Sequence, residues 1–355
     1  MRSFQYEMQP CRVVFGAGTV KEVKKELQSL GVHRALVIST PGRSGESMAN
    51  LVTELAGEWC IGVYARAVQH VPLEVAGQAV KYVLEHQADG LIAVGGGSSI
   101  GLAKAVALET GLPILAIPTN YSGSEMTPVW GITGNGIKKT GKSIVVKPKM
   151  VIYDPELTVS LPLHLTVTSG INAMAHCIEG LYSEHANPVI SMMAEEGIRA
   201  LGGSIRNLIE KQHDLDARSD ALYGAWLAGT VLGSVGMALH HKLCHTLGGS
   251  FNLPHAETHT VVLPYVISYN FSYTPEAVQA MSRALGTDES NVARYLFNLV
   301  TSSGVPTSLA GIGLKEENIA KAAAIATKNP YYNPRPVDEE SIRELLNKAY
   351  SGESP

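Results

Sequence analysis

Apolar and polar positions alternate in two different ways along this chain. In the first 155 residues, short apolar runs bounded by turn residues recur at 11–15 (CRVVF), 34–40 (RALVIST), 60–64, 91–94, 113–117 and 151–153. Such runs read as strands buried on both faces of a parallel sheet. Amphipathic stretches at 19–30, 46–56, 73–86 and from the glycine turn to 109 separate them and carry helical period. The alternation predicts a doubly wound parallel sheet. Residues 129–133, Gly134-Asn135-Gly136 and the lysine-rich stretch after them predict a hairpin on an Asn-Gly turn. From residue 165 nearly every segment has helical period: 166–182, 188–208, 217–244, 275–285, 289–302, 316–326 and 339–350. The expected organisation is therefore an α/β domain over 1–160 and an all-α domain over 161–355. No repeat or low-complexity linker separates them, so a shared cleft is expected.

One apolar run tests that picture. Residues 222–239 (LYGAWLAGTVLGSVGMAL) carry no charge over a length that can span a membrane. The run is rich in Gly and Ala, with Gly229 and Gly233 in small-xxx-small spacing, and it leads directly into His240 and His241. It reads as a buried helix packed closely on its neighbours. The net charge of −4 over 355 residues argues against a polyanion-binding surface, so neither nucleic acid nor membrane is expected as a partner. Four cysteines without a CxxC pair point to a reducing compartment, and the N-terminal MRSFQYEMQP lacks the apolar core of a signal peptide. A cytoplasmic protein is expected.

The candidate chemistry clusters in 238–255, ALHHKLCHTLGGSFNLPH. His241 and His245 stand one helical turn apart, a Leu-Gly-Gly break is expected next, and His255 follows the turn at 252–254. Asn172 and His176 repeat the four-residue spacing in GINAMAHCIE. Four such groups from two helices suit a metal site or an acid–base pocket, against the competing reading of ordinary core or surface histidines. Upstream, Gly95-Gly96-Gly97-Ser98-Ser99 joins a strand to a helix, where glycines admit a pyrophosphate and the helix N-terminus offers free N–H groups. It is not a G-x-G-x-x-G fingerprint. The polar loop PTNYSGSEMTP after the next strand offers Thr119, Asn120, Ser122 and Ser124 on the same sheet edge. The strand at 34–40 ends in Ser39-Thr40 with Arg43 nearby and no acid to meet a ribose 2′-hydroxyl, so both NADH and NADPH are expected to bind.

The GGGSS turn, IPTNYSGSEMTP, YDPELT, GINAMAHCIEGLY and HHKLCHTLGGSFNLPH occur in the order seen in the iron-containing alcohol dehydrogenase family, and the resemblance spans nearly the whole chain. It implies a dehydroquinate synthase-like architecture, a nicotinamide held between an α/β and a helical domain, and a homodimer. NYSGSEMTPVWGIT, TSGINAMAH and HHKLCHTLGG resemble the branch that reduces maleylacetate to 3-oxoadipate with NADH or NADPH in the breakdown of aromatic compounds. The resemblance further implies Lys138 near the nicotinamide ribose, with Lys139 or Lys142 as substitutes, and Leu157 on the cofactor. The family's metal ligands fall on Asn172, His176, His241 and His255, and its extra histidine near the nicotinamide on His245. Two family acids are replaced: the metal-binding Asp by Asn172, and the Asp after the glycine turn by Gly101.

An amide is a weaker ligand than a carboxylate, and three imidazoles with an amide leave a divalent charge uncompensated. A small conjugated dicarboxylate takes up hydride at carbon while charge develops on an enolate oxygen, which His or Lys donors can stabilise without a Lewis acid. A metal-independent reductase is expected, with His241 and His245 as donors and His176 and His255 adding positive or hydrogen-bonding character. Lys242 points about 100° away from its neighbour His241 on a helix, leaving a direct role open. The alternatives are a metal-dependent alcohol dehydrogenase of the same family and a dehydroquinate synthase-like cyclase.

Overall fold

The computed structural model describes residues 4–7, 9–134 and 137–355. The Asn135-Gly136 turn lies outside them. The chain divides into two compact units, Glu7–Leu161 and Pro162–Pro355, and Phe4 to Tyr6 group with the second.

The first unit has strands β1 (Arg12–Phe15), β2 (Ala35–Ile38), β3 (Cys60–Tyr64), β4 (Gly90–Gly95), β5 (Ile114–Pro118), β6 (Val129–Gly134), β7 (Ile137–Lys142) and β8 (Met150–Tyr153). Its helices are α1 (Val23–Ser29), α2 (Arg43–Ala56), α3 (Leu73–Glu85) and α4 (Gly97–Thr110). Six strands form one parallel sheet in the order β1-β8-β5-β4-β2-β3, while β6 and β7 pair antiparallel. Side-chain alternation along the strands explains why both faces are covered. On β2, Leu36 and Ile38 join the core under α3 and α4, while Ala35 and Val37 join the core under α1 and α2. After β2 the chain winds outward to β3; after β4 it winds the other way to β5. Ligands of such sheets bind beyond the strand C-termini at this reversal. There stand Thr40, after β2, and Gly96, after β4.

The second unit is helical: α5 (Leu163–Leu181), α6 (Pro188–Glu210), α7 (Leu215–Ser234), α8 (Leu239–Phe251), α9 (His255–Asn270), α10 (Pro275–Leu285), α11 (Val292–Ser302), α12 (Ile319–Thr327) and α13 (Glu339–Ser351). α5 is its axis, buried at every position from Thr166 to Gly180. One apolar core gathers α5, α6, α7, α10 and α11, and a second gathers α8, α9, α12 and α13.

Three expectations need correction here. The single helix expected over 217–244 is two, α7 and α8, bent by 93° across 235–238. The backbone is extended at Val235, and Ala238 has non-helical angles. Gly248-Gly249 does not break α8, which runs on to Phe251 and ends at Asn252 in the left-handed conformation. The helix α9 was not anticipated, and it carries Pro264 within it. Among the described residues, no single helix is long and apolar enough to cross a membrane.

Candidate active site

In the helical unit the site is organised by a carboxylate. Glu179, near the end of α5, is fully buried. Its oxygens accept the backbone N–H groups of Ala238 (3.0 Å), His240 (2.7 Å) and His241 (3.4 Å). α8 has no side-chain cap of its own, so a negative group from another helix satisfies its free donors and its dipole. The bend before α8 follows, because the chain must leave α7 to present those N–H groups to Glu179. The same carboxylate takes His241 Nδ1 at 2.6 Å. An ionised carboxylate only accepts, so Nδ1 carries a proton and the opposite nitrogen, Nε2, is the one left for chemistry. His241 Nε2 is buried and has no hydrogen-bond partner.

From this fixed ring a chain of imidazoles extends. His241 lies 5.0 Å from His176, 6.1 Å from His245 and 4.9 Å from His259, centroid to centroid. His245 and His255 lie 6.4 Å apart with nearly parallel rings, and His255 is 4.4 Å from His259. His176, His241 and His259 are buried, whereas His245 and His255 are exposed. Behind them His240 Nε2 and His259 Nδ1 form a 2.9 Å hydrogen bond, with Cys244 Sγ 3.7 Å from His240 Nε2. Burial, reinforced by the surrounding imidazoles, pushes His176, His240 and His259 well below the ordinary imidazole range, so these rings are neutral at neutral pH. Asn172 Oδ1, His176 Nδ1 and His259 Nε2 are buried without partners, as is His241 Nε2. Buried polar atoms left open in this way mark a place where a ligand or water completes the bonding.

The structure thus brings His176, His241, His245 and His255 into one contiguous wall, with Asn172 one turn before His176 on α5. Sequence reasoning missed Glu179, His240 and His259. The first two stood in the quoted motifs GINAMAHCIE and HHKLCH, and the four-residue spacing of His255 and His259 was the signal for the third.

The family's ion fits this donor set poorly. Asn172 contributes a neutral amide, and the carboxylate present, Glu179, is committed to His241 and to the α8 backbone. Among the described residues, the one group of three His, Cys, Asp or Glu donors lying within 4.8 Å of each other is His240, Cys244 and His259, none of which occupies a family ligand position.

In the sheet unit, β4 ends at Gly95 and α4 begins at Gly97, with Gly96 as an N-cap lacking any side-chain cap bond. A Cβ on Gly96 would lie 2.2 Å from Asn120 Nδ2, so only glycine lets the two loops meet. Ser99 Oγ and Ser122 Oγ are buried without partners beside this helix start. Free N–H groups, a helix dipole and open hydroxyls fit a pyrophosphate. Ser98 lies in the first turn of α4, and Thr119 N donates to Gly95 O at 3.1 Å. Asn120 Oδ1 accepts from Ser122 N at 3.2 Å.

Ser124 is turned elsewhere. Its carbonyl accepts from Lys104 Nζ at 2.6 Å, and the same ammonium donates to Thr127 Oγ1 and to Val129 O, both at 2.9 Å. Lys104, unforeseen from the sequence, is buried and pins the polar loop onto α4. Desolvation draws its pKa down to about 7. Lys138 is exposed on β7, opposite Thr133 of β6, and Leu157 is buried in the core under α1 and α2.

A parallel-sheet unit followed by an all-helical unit is the dehydroquinate synthase-like class of fold. Residues 10–155 match the family described as iron-containing alcohol dehydrogenase, and 166–350 match the C-terminal part of the Fe-containing alcohol dehydrogenase family. The maleylacetate reductase of Burkholderia cepacia is 53% identical over 355 residues, covering all of both chains. The crystal structure of maleylacetate reductase from Agrobacterium tumefaciens has a TM-score of 0.95 at 45% identity, and that from Rhizobium sp. strain MTP-10005 one of 0.94 at 46%, each over 100% of both chains. The chain belongs to the iron-containing alcohol dehydrogenase family, and it is an oxidoreductase.

Proposed function

We propose that this protein reduces maleylacetate to 3-oxoadipate with NADH or NADPH, and does so without a metal ion. The observation that carries the reading is the buried Glu179–His241 pair, which leaves His241 Nε2 open in a wall of imidazoles where the family places a metal. The full-length likeness to proteins named maleylacetate reductase supports the choice of substrate. When bound, the reduced nicotinamide supplies a hydride. Glu179 orients His241 and offsets its positive charge when both ring nitrogens are protonated, as a buried acid does for a general acid–base histidine. Nε2–H then hydrogen-bonds the oxygen on which enolate charge develops, in place of a Lewis acid. The neutral rings of His176 and His259 add dipoles without adding charge. Asn172 presents an amide where a carboxylate would repel a dianion.

The turn after β2 supports use of both cofactors. Ser39 Oγ is occupied by Gly45 O at 2.8 Å, and the turn through Thr40 has no acid ahead of Arg43 at the start of α2. Initial rates of NADH and NADPH oxidation with maleylacetate, set beside rates of NAD⁺ reduction with simple alcohols, test the reading. It expects turnover with maleylacetate and little with alcohols, and the reverse preference overturns it.

A further inference from the structure

Two groups that the mechanism has not used meet one residue on from His241. Lys242 follows His241 on α8, and its Nζ lies 5.5 Å from the centre of the Tyr331 ring. Among the described residues it makes no ion pair. Tyr331 Oη is buried and has no hydrogen-bond partner. Burial above all pushes the phenol's pKa up, so it keeps its proton and can donate. A half-buried ammonium without a counterion and a desolvated hydroxyl without an acceptor together form an incomplete site.

The segment carrying Tyr331 is held in place rather than loose. Asn333 and Asn270 exchange amide hydrogen bonds of 2.8 and 3.1 Å. Arg335 stacks over Tyr269 at 4.0 Å and donates to its carbonyl at 3.3 Å. The hydroxyl is therefore positioned before any ligand arrives, which lowers the ordering cost of binding.

The electrostatics select the ligand. The carboxylate of Glu179 lies 2.6 Å from His241 Nδ1. An anion approaching His241 needs a nearby cation, and Lys242 supplies one from the same helix. From this juxtaposition we infer that Lys242 and Tyr331 bind one carboxylate of the dicarboxylate substrate, through a charge-assisted contact from the ammonium and a hydrogen bond from the phenol. The inference rests on the reductase reading given above. It makes these two residues the selectors of a dianion over a monoanion of the same skeleton.

The test compares wild type with Lys242→Met, Lys242→Arg and Tyr331→Phe, using maleylacetate and its monoester at the carboxylate remote from the double bond. Lys242→Met is expected to raise KM for maleylacetate by about tenfold or more and to erase the preference for the dianion, while KM for NADH stays within about twofold. Arginine should restore part of the preference, and Tyr331→Phe, which keeps the ring, should raise KM by a smaller factor. An unchanged KM and preference in Lys242→Met, with wild type active, overturn this inference alone, as does a parallel rise in KM for NADH. Wild-type protein inactive with maleylacetate overturns the reductase reading itself.

Discussion

Glu179 performs two tasks with one carboxylate: it caps α8 and it fixes which nitrogen of His241 is available. Glu179→Gln keeps the size but loses the charge, and an amide cannot accept from every donor that the carboxylate satisfies. Steady-state kinetics should show kcat lower by about 100-fold or more with KM for NADH nearly unchanged. An equal loss of both, together with a lowered melting temperature, would reduce Glu179 to a structural cap. Arg43 gives a second test at this scale. Arg43→Ala should raise KM for NADPH several-fold and leave KM for NADH in place, because only the former carries a 2′-phosphate. Identical shifts for the two cofactors would remove Arg43 from cofactor choice.

The elements around the two sites differ in how far their sequence announced them. The sheet strands were legible because continuous apolar runs have little alternative to burial, and β3 occupies 60–64 as expected. Gly248 and Gly249 misled because glycine is costly in a helix yet tolerated; no atom crowds Gly249, and the helix passes through. The bend between α7 and α8 was hidden because its cause, Glu179, lies some 60 residues upstream in sequence. Lys104 was hidden for a similar reason: on α4 it resembles a solvent-facing lysine, and only the folded loop supplies Ser124, Thr127 and Val129 as acceptors. Lys104→Met strands those acceptors and should destabilise the protein by about 2 kcal/mol in denaturant titrations. The pH dependence has a definite sign. Burial lowers the lysine from 10.5 to about 7, so between those values the unfolded chain holds a proton that the folded chain lacks. Wild-type stability should therefore rise with pH above 7, by up to ~1.4 kcal/mol per unit from this group. The difference between wild type and Lys104→Met should widen from about pH 7 to pH 9, and a constant difference would show that Lys104 keeps its proton throughout.

For the molecule as a whole, the two modes of hydrophobic patterning announced a sheet unit and a helical unit, and the ordered motifs announced the family. Glu179 and His240 were not legible as partners of the site histidines, since they act through contacts between helices; His259 had a signal, its four-residue spacing from His255 on one helix. The central claim is that an imidazole oriented by a carboxylate, set in a wall of other imidazoles, replaces the Lewis acid that the family name implies. Turnover of maleylacetate and NADH after exhaustive chelation, with residual Fe and Zn quantified in the same sample, tests it most directly. The account predicts undiminished kcat at metal contents far below one ion per chain. Loss of activity on chelation, restored by adding Fe²⁺ or Zn²⁺, would contradict it.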